Sequence, residues 1–441
     1  MDTSDKRPSL RIAEIAITRF RTFHERTVIP LHTRNHADVL AVFHGDNGAG
    51  KSNALEALDL FFRALTYWMR WRAGTLLSTD PSLRCEWDAP HPPDGFTPRR
   101  RDWPTGSWES MNIEVRFDQE PLGVYRVQLT PSGSDLFLSV GFLVLPKRTL
   151  SEVTEDDYSS LSPSASKSLR NLLETPHGPR SRPLFILDEH RRGSWRADDA
   201  YQQEALETLS PLLAEKLLSL RLSLEPLERE RWRFFGSLLS KFPTLQGKEI
   251  SIDRVSRDSI PELFFEERGR QILKLTELSS GEQQIVTLCA ALITSRASIV
   301  AIAEPEMSLS ATNQRMLKNI LEQQVREGLI DQVILESHVQ VFDGPEVVRF
   351  RRENGTSRVI REVRKPETEA LVAHAREKGA EEQYVTTEGY TQLPAGMRQD
   401  LGLEGGGMLW FLRDDRKRWA AWKTEELEEL LGANDEPSVE S

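Results

Sequence analysis

Gly45, Gly50, Lys51 and Ser52 stand at the spacing G-x-x-x-x-G-K-S, between an apolar run and a helix-forming segment. Glycines let consecutive backbone N–H groups curl around phosphate oxygens, and the helix that follows turns the positive end of its dipole toward the same anion. In this pattern the lysine reaches the β- and γ-phosphates of a nucleotide, and the serine hydroxyl holds Mg²⁺. The alternative is a glycine-rich turn with an incidental lysine and serine. We predict cofactor binding by the loop residues Gly45, Asn47, Gly48, Gly50, Lys51 and Ser52.

The segments on either side of this loop have the patterns of a strand and a helix. VLAVF, which precedes Gly45, is a short apolar run bounded by a turn signal, as in a buried strand. From Leu55 to Leu65, apolar residues recur at three- and four-residue steps, which predicts a helix with one buried face. Residues 66–110 are rich in Pro, Trp and Arg and predict a long irregular loop.

Further strands and helices are predicted along the chain. NIEVRF, VYRVQLT and FLSVGFLVL predict an antiparallel set of strands, and RPLFILDEH predicts one more. Leucines with helical spacing between residues 206 and 220 predict a helix that Pro211 breaks or kinks, and a second helical stretch covers residues 227–242. Asn354-Gly355 predicts the turn of a hairpin. Beyond Pro366 the chain is Glu-rich and predicts helix before a polar tail.

A second motif, LTELSSGEQQIVTLCAAL at residues 275–292, resembles the signature motif of ABC-type ATPases. The resemblance implies that Ser279 and Gly281 donate hydrogen bonds to the γ-phosphate of an ATP held by the phosphate-binding loop of a second subunit. A helix N-terminus facing an anion is a physically sound device for that purpose. The alternative is a helix cap, in which Ser279 and Glu282 satisfy each other's backbone N–H groups.

Two apolar strands that end in polar residues follow the signature. SIVAIAEPEMSLSATNQ, residues 298–314, resembles the Walker B motif and the D-loop, and Glu304 stands where the family has the glutamate that polarises the attacking water. VILESHVQVF resembles the strand that carries the family's switch histidine, so the resemblance implies that His338 hydrogen-bonds the γ-phosphate. We therefore predict Glu304 and His338 as catalytic residues. A lone histidine is more often structural, which is the alternative for His338.

Two positions depart from the family pattern. The acidic residue that orients Mg²⁺ in the family normally precedes the catalytic glutamate, and Ala303 occupies that place. Either Ser52 and Glu304 suffice, or hydrolysis is slow and the protein acts as an ATP-dependent clamp. The family's Mg²⁺-contacting glutamine has no clear counterpart, and Gln119 and Gln128 are both candidates.

ITRFRTFHE and the EPE of the Walker B region resemble the SMC, RecF and OLD group of DNA-linked ATPases, without coiled-coil arms or the OLD nuclease domain. The resemblance covers residues 10–145 and 250–365. It implies an α/β fold: an ABC-type P-loop NTPase head with an antiparallel β subdomain, an inserted helical lobe and a small helical C-terminal extension. Four domains are expected: the N-terminal part of the head at 1–150, the linker with the helical lobe at 151–248, the C-terminal part of the head at 249–365 and the extension at 366–441.

The net charge, the apolar runs and the cysteine count indicate which classes of protein are compatible with this sequence. The net charge of −11 argues against nucleic-acid binding by the whole surface, although a local basic patch remains compatible with DNA. No apolar run approaches the roughly 20 residues of a membrane span. Two cysteines make neither a disulfide framework nor a metal knuckle, so we expect a cytoplasmic protein without a membrane partner.

The motifs together predict an Mg²⁺-dependent ATPase that forms a homodimer or higher oligomer through ATP-bound heads. Its expected setting is DNA repair or anti-phage defence, with duplex DNA and a separate effector, such as a nuclease, as partners. The alternative is a slow or non-hydrolysing ATP-gated scaffold that binds a protein partner without DNA.

Overall fold

The computed structural model describes residues 10–31, 40–74, 82–86, 100–118, 123–132, 135–143, 149–154, 157–160, 182–187, 211–254, 256, 259–267, 271–295, 297–343, 346–363, 393, 395–403, 410–413 and 419–422. Two compact units divide the chain, Met1–Glu369 and Ala370–Ser441. No helix within the described residues is long and apolar enough to cross a membrane.

An antiparallel sheet forms one side of the larger unit. Its strand order is β2-β1-β5-β6-β7-β4, and β8 pairs with β7. The strands are β1 (Ile12–Thr18), β2 (Thr27–Pro30), β4 (Ser82–Glu86), β5 (Met111–Phe117), β6 (Val124–Ser132), β7 (Asp135–Leu143) and β8 (Ser159–Ser160). The predicted antiparallel set is confirmed in β5, β6 and β7, which pair in that order. The predicted loop over residues 66–110 is wrong at β4, which pairs with β7.

A mainly parallel sheet forms the centre of the unit, in the order β16-β15-β3-β14-β13-β9. The strands are β3 (Leu40–Gly45), β9 (Arg182–Leu187), β13 (Ala297–Ala303), β14 (Gln332–Glu336), β15 (Glu346–Glu353) and β16 (Thr356–Val363). Only β16 runs antiparallel to its neighbour, across the predicted hairpin at Asn354-Gly355, which is confirmed. β9 is the predicted RPLFIL strand, and it joins this sheet from within the range expected to hold the linker and helical lobe.

Helices cover the central sheet on both faces. They are α1 (Lys51–Gly74), α2 (Pro211–Leu222), α3 (Pro226–Leu239), α4 (Ser280–Ser295) and α5 (Ala311–Arg326). α1 begins at the predicted place but continues past Leu65 into the predicted loop. α2 begins at Pro211, because the ring of proline is tolerated in the first turn of a helix and not in its interior. A three-stranded sheet, β10-β11-β12 (Lys248–Asp253, Glu262–Glu267 and Gln271–Lys274), precedes α4.

Alternating side chains of the central strands enter two separate cores. Ile299 and Ala301 of β13 pack with α1 and the antiparallel sheet, whereas Val300 and Ile302 pack with the helices of the other face. This is the two-residue period of a strand that is buried on both sides. α1 therefore lies between two sheets. This packing fixes the position of its N-terminus, which follows the glycine-rich loop.

Hydrogen bonds also join the start of the antiparallel sheet to the start of β14. The Ile12 N–H donates to the Gln332 side chain at 2.9 Å, and the Gln332 amide donates back to the Ile12 carbonyl at 2.9 Å. The backbone N–H of Leu10 donates to the carboxylate of Asp331 at 3.0 Å. These reciprocal bonds set the position of β14 relative to the N-terminal segment.

Among its described residues, the smaller unit has a short helix, α6 (Ala395–Asp400), and a pair of antiparallel strands, β17 (Trp410–Arg413) and β18 (Trp419–Trp422). The prediction of a helical C-terminal extension is therefore wrong at these two strands. Trp and Phe favour strands over helices, and in WFLR and WAAW this preference outweighs the helix-forming composition around them.

Candidate nucleotide-binding site

The glycine-rich loop between β3 and α1 has the backbone conformation that its residues predict. Gly45, Gly48 and Gly50 have φ angles of 144°, 75° and 108°, which residues with a Cβ rarely adopt. A Cβ at Gly45 would lie 2.3 Å from the Phe350 carbonyl oxygen, and one at Gly50 would lie 2.2 Å from the Ser357 hydroxyl. Asn47 is exposed at the tip of the loop. Both outer glycines are thus required by close packing as well as by φ.

The back of this loop is held by residues that are far apart in the sequence of the larger unit. The Ser357 hydroxyl donates to Thr22 Oγ1 at 2.7 Å, and the Ser357 N–H donates to the Thr22 carbonyl at 2.8 Å. The Asn53 amide donates to the same Thr22 hydroxyl at 2.8 Å. Gly50 fits against this pair of hydroxyl groups, so the Thr22–Ser357 contact positions the start of α1.

Lys51 is buried beneath the loop. Its side chain is 3% exposed, and its ammonium group donates to the carbonyl oxygens of Gly45 at 2.8 Å and Asp46 at 3.1 Å. Burial lowers the pKa of Lys51, and the carboxylates of Glu336, Glu304 and Asp46 oppose that effect. The lysine therefore supplies a partly desolvated positive charge beneath the glycine-rich loop, as phosphate binding requires.

The carboxylate of Glu336 lies next to both Lys51 and Ser52. The Ser52 hydroxyl donates to Glu336 Oε1 at 2.8 Å, and Lys51 Nζ lies 3.8 Å from the same oxygen. The side chain of Glu336 is 5% exposed, and burial raises its pKa, an effect that Ser52 and Lys51 oppose. The sequence interpretation did not assign a role to this residue. Its signal was a carboxylate at the end of the strand VILE, two positions before His338.

Glu304 and His338 lie side by side at the ends of β13 and β14. His338 Nε2 is 3.4 Å from Glu304 Oε1, and both side chains are between a quarter and a third exposed. Glu304 has a φ of 46°, and its N–H donates to the Glu336 carbonyl at 2.7 Å. The two predicted catalytic residues are therefore adjacent and accessible to a ligand.

Glu306 fixes the segment that carries His338. Its carboxylate accepts the His338 backbone N–H at 2.6 Å and the Ser337 hydroxyl at 3.0 Å. Burial raises the pKa of Glu306, and these hydrogen bonds oppose the effect. The sequence interpretation used the EPE tripeptide as a mark of the family and did not predict this contact.

The signature residues stand at the N-terminus of α4. Ser279 is exposed, and both its N–H and its hydroxyl donate to Glu282 Oε2, at 3.0 and 2.8 Å. The capping interpretation is thus correct for the isolated chain, and an exposed cap also leaves the helix end accessible to a second subunit. A Cβ at Gly281 would lie 2.7 Å from the Ser308 carbonyl oxygen, so only glycine allows α4 to approach the segment after Glu304 this closely.

The two departures from the family pattern are visible in the structure. Ala303 is the last residue of β13 and is a register partner of Glu336 in the neighbouring strand β14. Gln128 lies in β6 of the antiparallel sheet, where its side chain accepts from the Ser139 hydroxyl at 3.3 Å. Gln119 lies outside the described residues. Within those residues, no group of three or more His, Cys, Asp or Glu side chains is arranged to hold a metal ion.

A magnesium site of the P-loop kind does not need such a group, because phosphate oxygens and water supply most of the ligands. The Ser52 hydroxyl and a buried Glu336 carboxylate oxygen without a hydrogen-bond partner among the described residues fit this chemistry.

Known proteins show two kinds of similarity to this chain. Three SMC head domains have similar structures. The head bound to the C-winged helix domain of ScpA has a TM-score of 0.47, 14% identity and covers 81% of this chain and 99% of its own. The Thermotoga maritima head has a TM-score of 0.41, 15% identity, and coverages of 79% and 98%. The Pyrococcus furiosus head, with an extended coiled coil and bound to the C-terminal domain of ScpA, has a TM-score of 0.45, 11% identity, and coverages of 84% and 100%.

No curated protein sequence matches the chain. The family model described as "AAA domain, putative AbiEii toxin, Type IV TA system" matches residues 40–342, which is more than half of the chain. The match extends from β3 to the segment after His338 and so includes the phosphate-binding loop, the signature segment, Glu304 and His338. It confirms the predicted class of P-loop ATPase, and the sheets and helices described above confirm the predicted α/β fold. This chain belongs to that AAA domain family.

Proposed function

We propose that this protein binds and hydrolyses ATP between two heads and acts on DNA, in repair or anti-phage defence, through a separate effector in the cytoplasm. One observation carries the proposal: Lys51, Ser52, Glu304 and His338 meet at the carboxyl ends of three adjacent parallel strands. Ligands of open α/β sheets bind at this edge. The paired strands β3, β14 and β13 bring the phosphate-binding loop next to the two candidate catalytic residues.

Each residue has a chemical role in this proposal. The Lys51 ammonium exchanges its two carbonyl partners for phosphate oxygens, and the loop N–H groups bind the remaining phosphate charge. The Ser52 hydroxyl would hold Mg²⁺, which would supply positive charge against the phosphates. Glu304 orients the attacking water and takes up its proton, and His338, 3.4 Å away, hydrogen-bonds the γ-phosphate.

The dimer is the part of the proposal that the signature motif supports. Ser279 and Gly281 lie at the start of α4, and Ser279 is exposed to solvent. A helix N-terminus binds an anion through its free N–H groups. In the proposed dimer this end completes the ATP site of the partner head. The family description, which names a putative toxin of a type IV TA system, is compatible with a role in defence.

Steady-state ATP hydrolysis, measured with and without duplex DNA, tests the proposal. Lys51→Ala should weaken ATP binding, and Glu304→Gln should reduce turnover by about 10²–10³-fold while retaining ATP. Lys241→Ala is a matched control, because that lysine contacts Gln323 on the helical side of the molecule. Full ATP affinity and turnover in Lys51→Ala would refute the proposal.

Molecular mass in solution tests the dimer separately. Glu304→Gln with ATP should elute at twice the monomer mass, and Ser279→Arg in the same background should remain monomeric. A mass that ATP does not change would refute the head-to-head arrangement but not ATP hydrolysis.

A second candidate function is an ATP-gated scaffold with negligible turnover that binds a protein partner without DNA. The alanine at position 303 and the net charge of −11 favour it. This candidate predicts tight ATP binding with turnover that DNA does not change, whereas DNA-stimulated turnover would exclude it.

A further inference from the structure

The geometry points to Glu336 as the carboxylate of the Mg²⁺ site, in the role that position 303 cannot fill because it is alanine. This inference rests on the proposed function, since it assigns a residue to the metal that accompanies ATP. It concerns a side chain that none of the sequence motifs identifies.

Glu336 occupies a central position in the mainly parallel sheet. β14 lies between β3 and β13, and Glu336 is the register partner of both Ala303 on β13 and Phe43 on β3. At this level of the sheet, the carboxylate therefore stands on β14 and not on β13. Neighbouring strands are about 4.8 Å apart, so this position brings the acidic group one strand closer to the phosphate-binding loop.

Glu336 also contacts Ser52. A serine hydroxyl has one proton and two lone pairs. Because the Ser52 proton is donated to Glu336 Oε1 at 2.8 Å, its lone pairs are directed elsewhere and are available to a cation. Glu336 thereby orients the hydroxyl for metal binding, as carboxylates beside metal ligands commonly do.

The two carboxylate oxygens of Glu336 have different surroundings. Oε2 is buried and has no hydrogen-bond partner among the described residues. An unsatisfied buried carboxylate oxygen costs free energy, so it requires a reason. A hydrated Mg²⁺ beside Ser52 would provide that partner, because Mg²⁺ keeps several water molecules and binds through one or two carboxylates.

A competing interpretation makes Glu336 only a counterion for buried Lys51, whose ammonium is 3.8 Å from Oε1. The two interpretations differ in what metal does. A counterion affects nucleotide binding equally with and without Mg²⁺, whereas a metal-site carboxylate affects only the part of the affinity that Mg²⁺ adds.

The experiment measures the Kd of a fluorescent, non-hydrolysable ATP analogue in EDTA and in saturating Mg²⁺. Glu336→Gln should leave the Kd in EDTA equal or tighter, because it removes a negative charge near the phosphates. It should raise the Kd in Mg²⁺ by about 10–100-fold, the usual cost of losing a carboxylate beside a metal ligand. Ala303→Asp combined with Glu336→Gln should restore most of the Mg²⁺ effect by returning an acid to the neighbouring strand.

Glu362→Gln is the matched control, because Glu362 pairs with Arg349 at 2.8 Å on β15 and β16. It should leave both Kd values unchanged. The inference is overturned if Glu336→Gln keeps the wild-type ratio of the two Kd values. Equal weakening of binding in both buffers is one such outcome and would favour the counterion interpretation. Absence of nucleotide binding by the wild-type protein in both buffers would overturn the proposed function as well.

Discussion

Replacement of Glu306 by alanine tests how the segment after β14 is held in place. Glu306 accepts two hydrogen bonds there, from the His338 N–H at 2.6 Å and from the Ser337 hydroxyl at 3.0 Å. The Ser337 hydroxyl has a second acceptor, the Val339 carbonyl at 3.3 Å, so the loss of its bond to Glu306 is partly compensated. The N–H of His338 loses the acceptor that holds it.

The size of the effect follows from these two contacts. A hydrogen bond to a charged group contributes about 1.5–3 kcal/mol, and the compensated bond contributes less. Burial already raises the pKa of Glu306, which means that its charge carries a desolvation cost that alanine removes. We therefore expect a loss of about 2–3 kcal/mol, or a fall in Tm of roughly 4–6 °C at about 2 °C per kcal/mol.

Thermal unfolding at pH 7.5 without nucleotide provides the measurement, with ATP turnover measured in parallel. Glu306→Gln keeps one carbonyl acceptor and should lose about half as much as Glu306→Ala. Turnover should fall more than ATP affinity, since His338 rather than the phosphate-binding loop is displaced. An unchanged Tm in Glu306→Ala would refute the reasoning about this contact.

Two further predictions concern other parts of the head. Gly50→Ala should lower Tm more than Gly48→Ala: both have positive φ, but a Cβ at Gly50 meets the Ser357 hydroxyl at 2.2 Å, whereas a Cβ at Gly48 has no neighbour closer than 3.8 Å. An equal fall in Tm for both variants would show that backbone strain alone, and not the contact with Ser357, determines the loss of stability. Burial acts to raise the pKa of Glu282, but its hydrogen bonds, with Lys248 and at the helix cap, outweigh burial and lower it. A lowered carboxyl pKa stabilises the fold at pH values above the unfolded pKa, and this stabilisation is lost as pH falls through the folded pKa. Glu282→Gln should therefore lower Tm by a few degrees at pH 7 and by progressively less as pH falls through the lowered pKa. A difference in Tm that is independent of pH would contradict this.

Local patterns predicted the elements whose form depends on neighbours in sequence. The glycine-rich loop, the strand before it and the hairpin at Asn354-Gly355 were all predictable, because turn residues and apolar runs determine them directly. The irregular loop over residues 66–110 was overextended at its start, since α1 continues to Gly74. Trp68, three positions after Leu65, continues the helical spacing and is buried in the same core.

The role of Glu336 was not predictable in the same way, because it depends on strand order. Sequence shows that the strand VILE ends in a carboxylate, but only the structure shows that this strand lies between β3 and β13. The Glu306 contact likewise requires the ends of β13 and β14 to be neighbours. Both residues are separated in sequence from the groups they touch, so no local pattern identifies them.

The contact between Thr22 and Ser357 has a consequence for how the protein is made. These residues are 335 positions apart, yet together they form the wall against which Gly50 packs. A ribosome releases the phosphate-binding loop early and its supporting wall near the end of the head, and such non-local contacts form late. A nascent chain should therefore be unable to hold ATP until β16 has emerged, which delays any ATP-dependent pairing until synthesis of the head is complete.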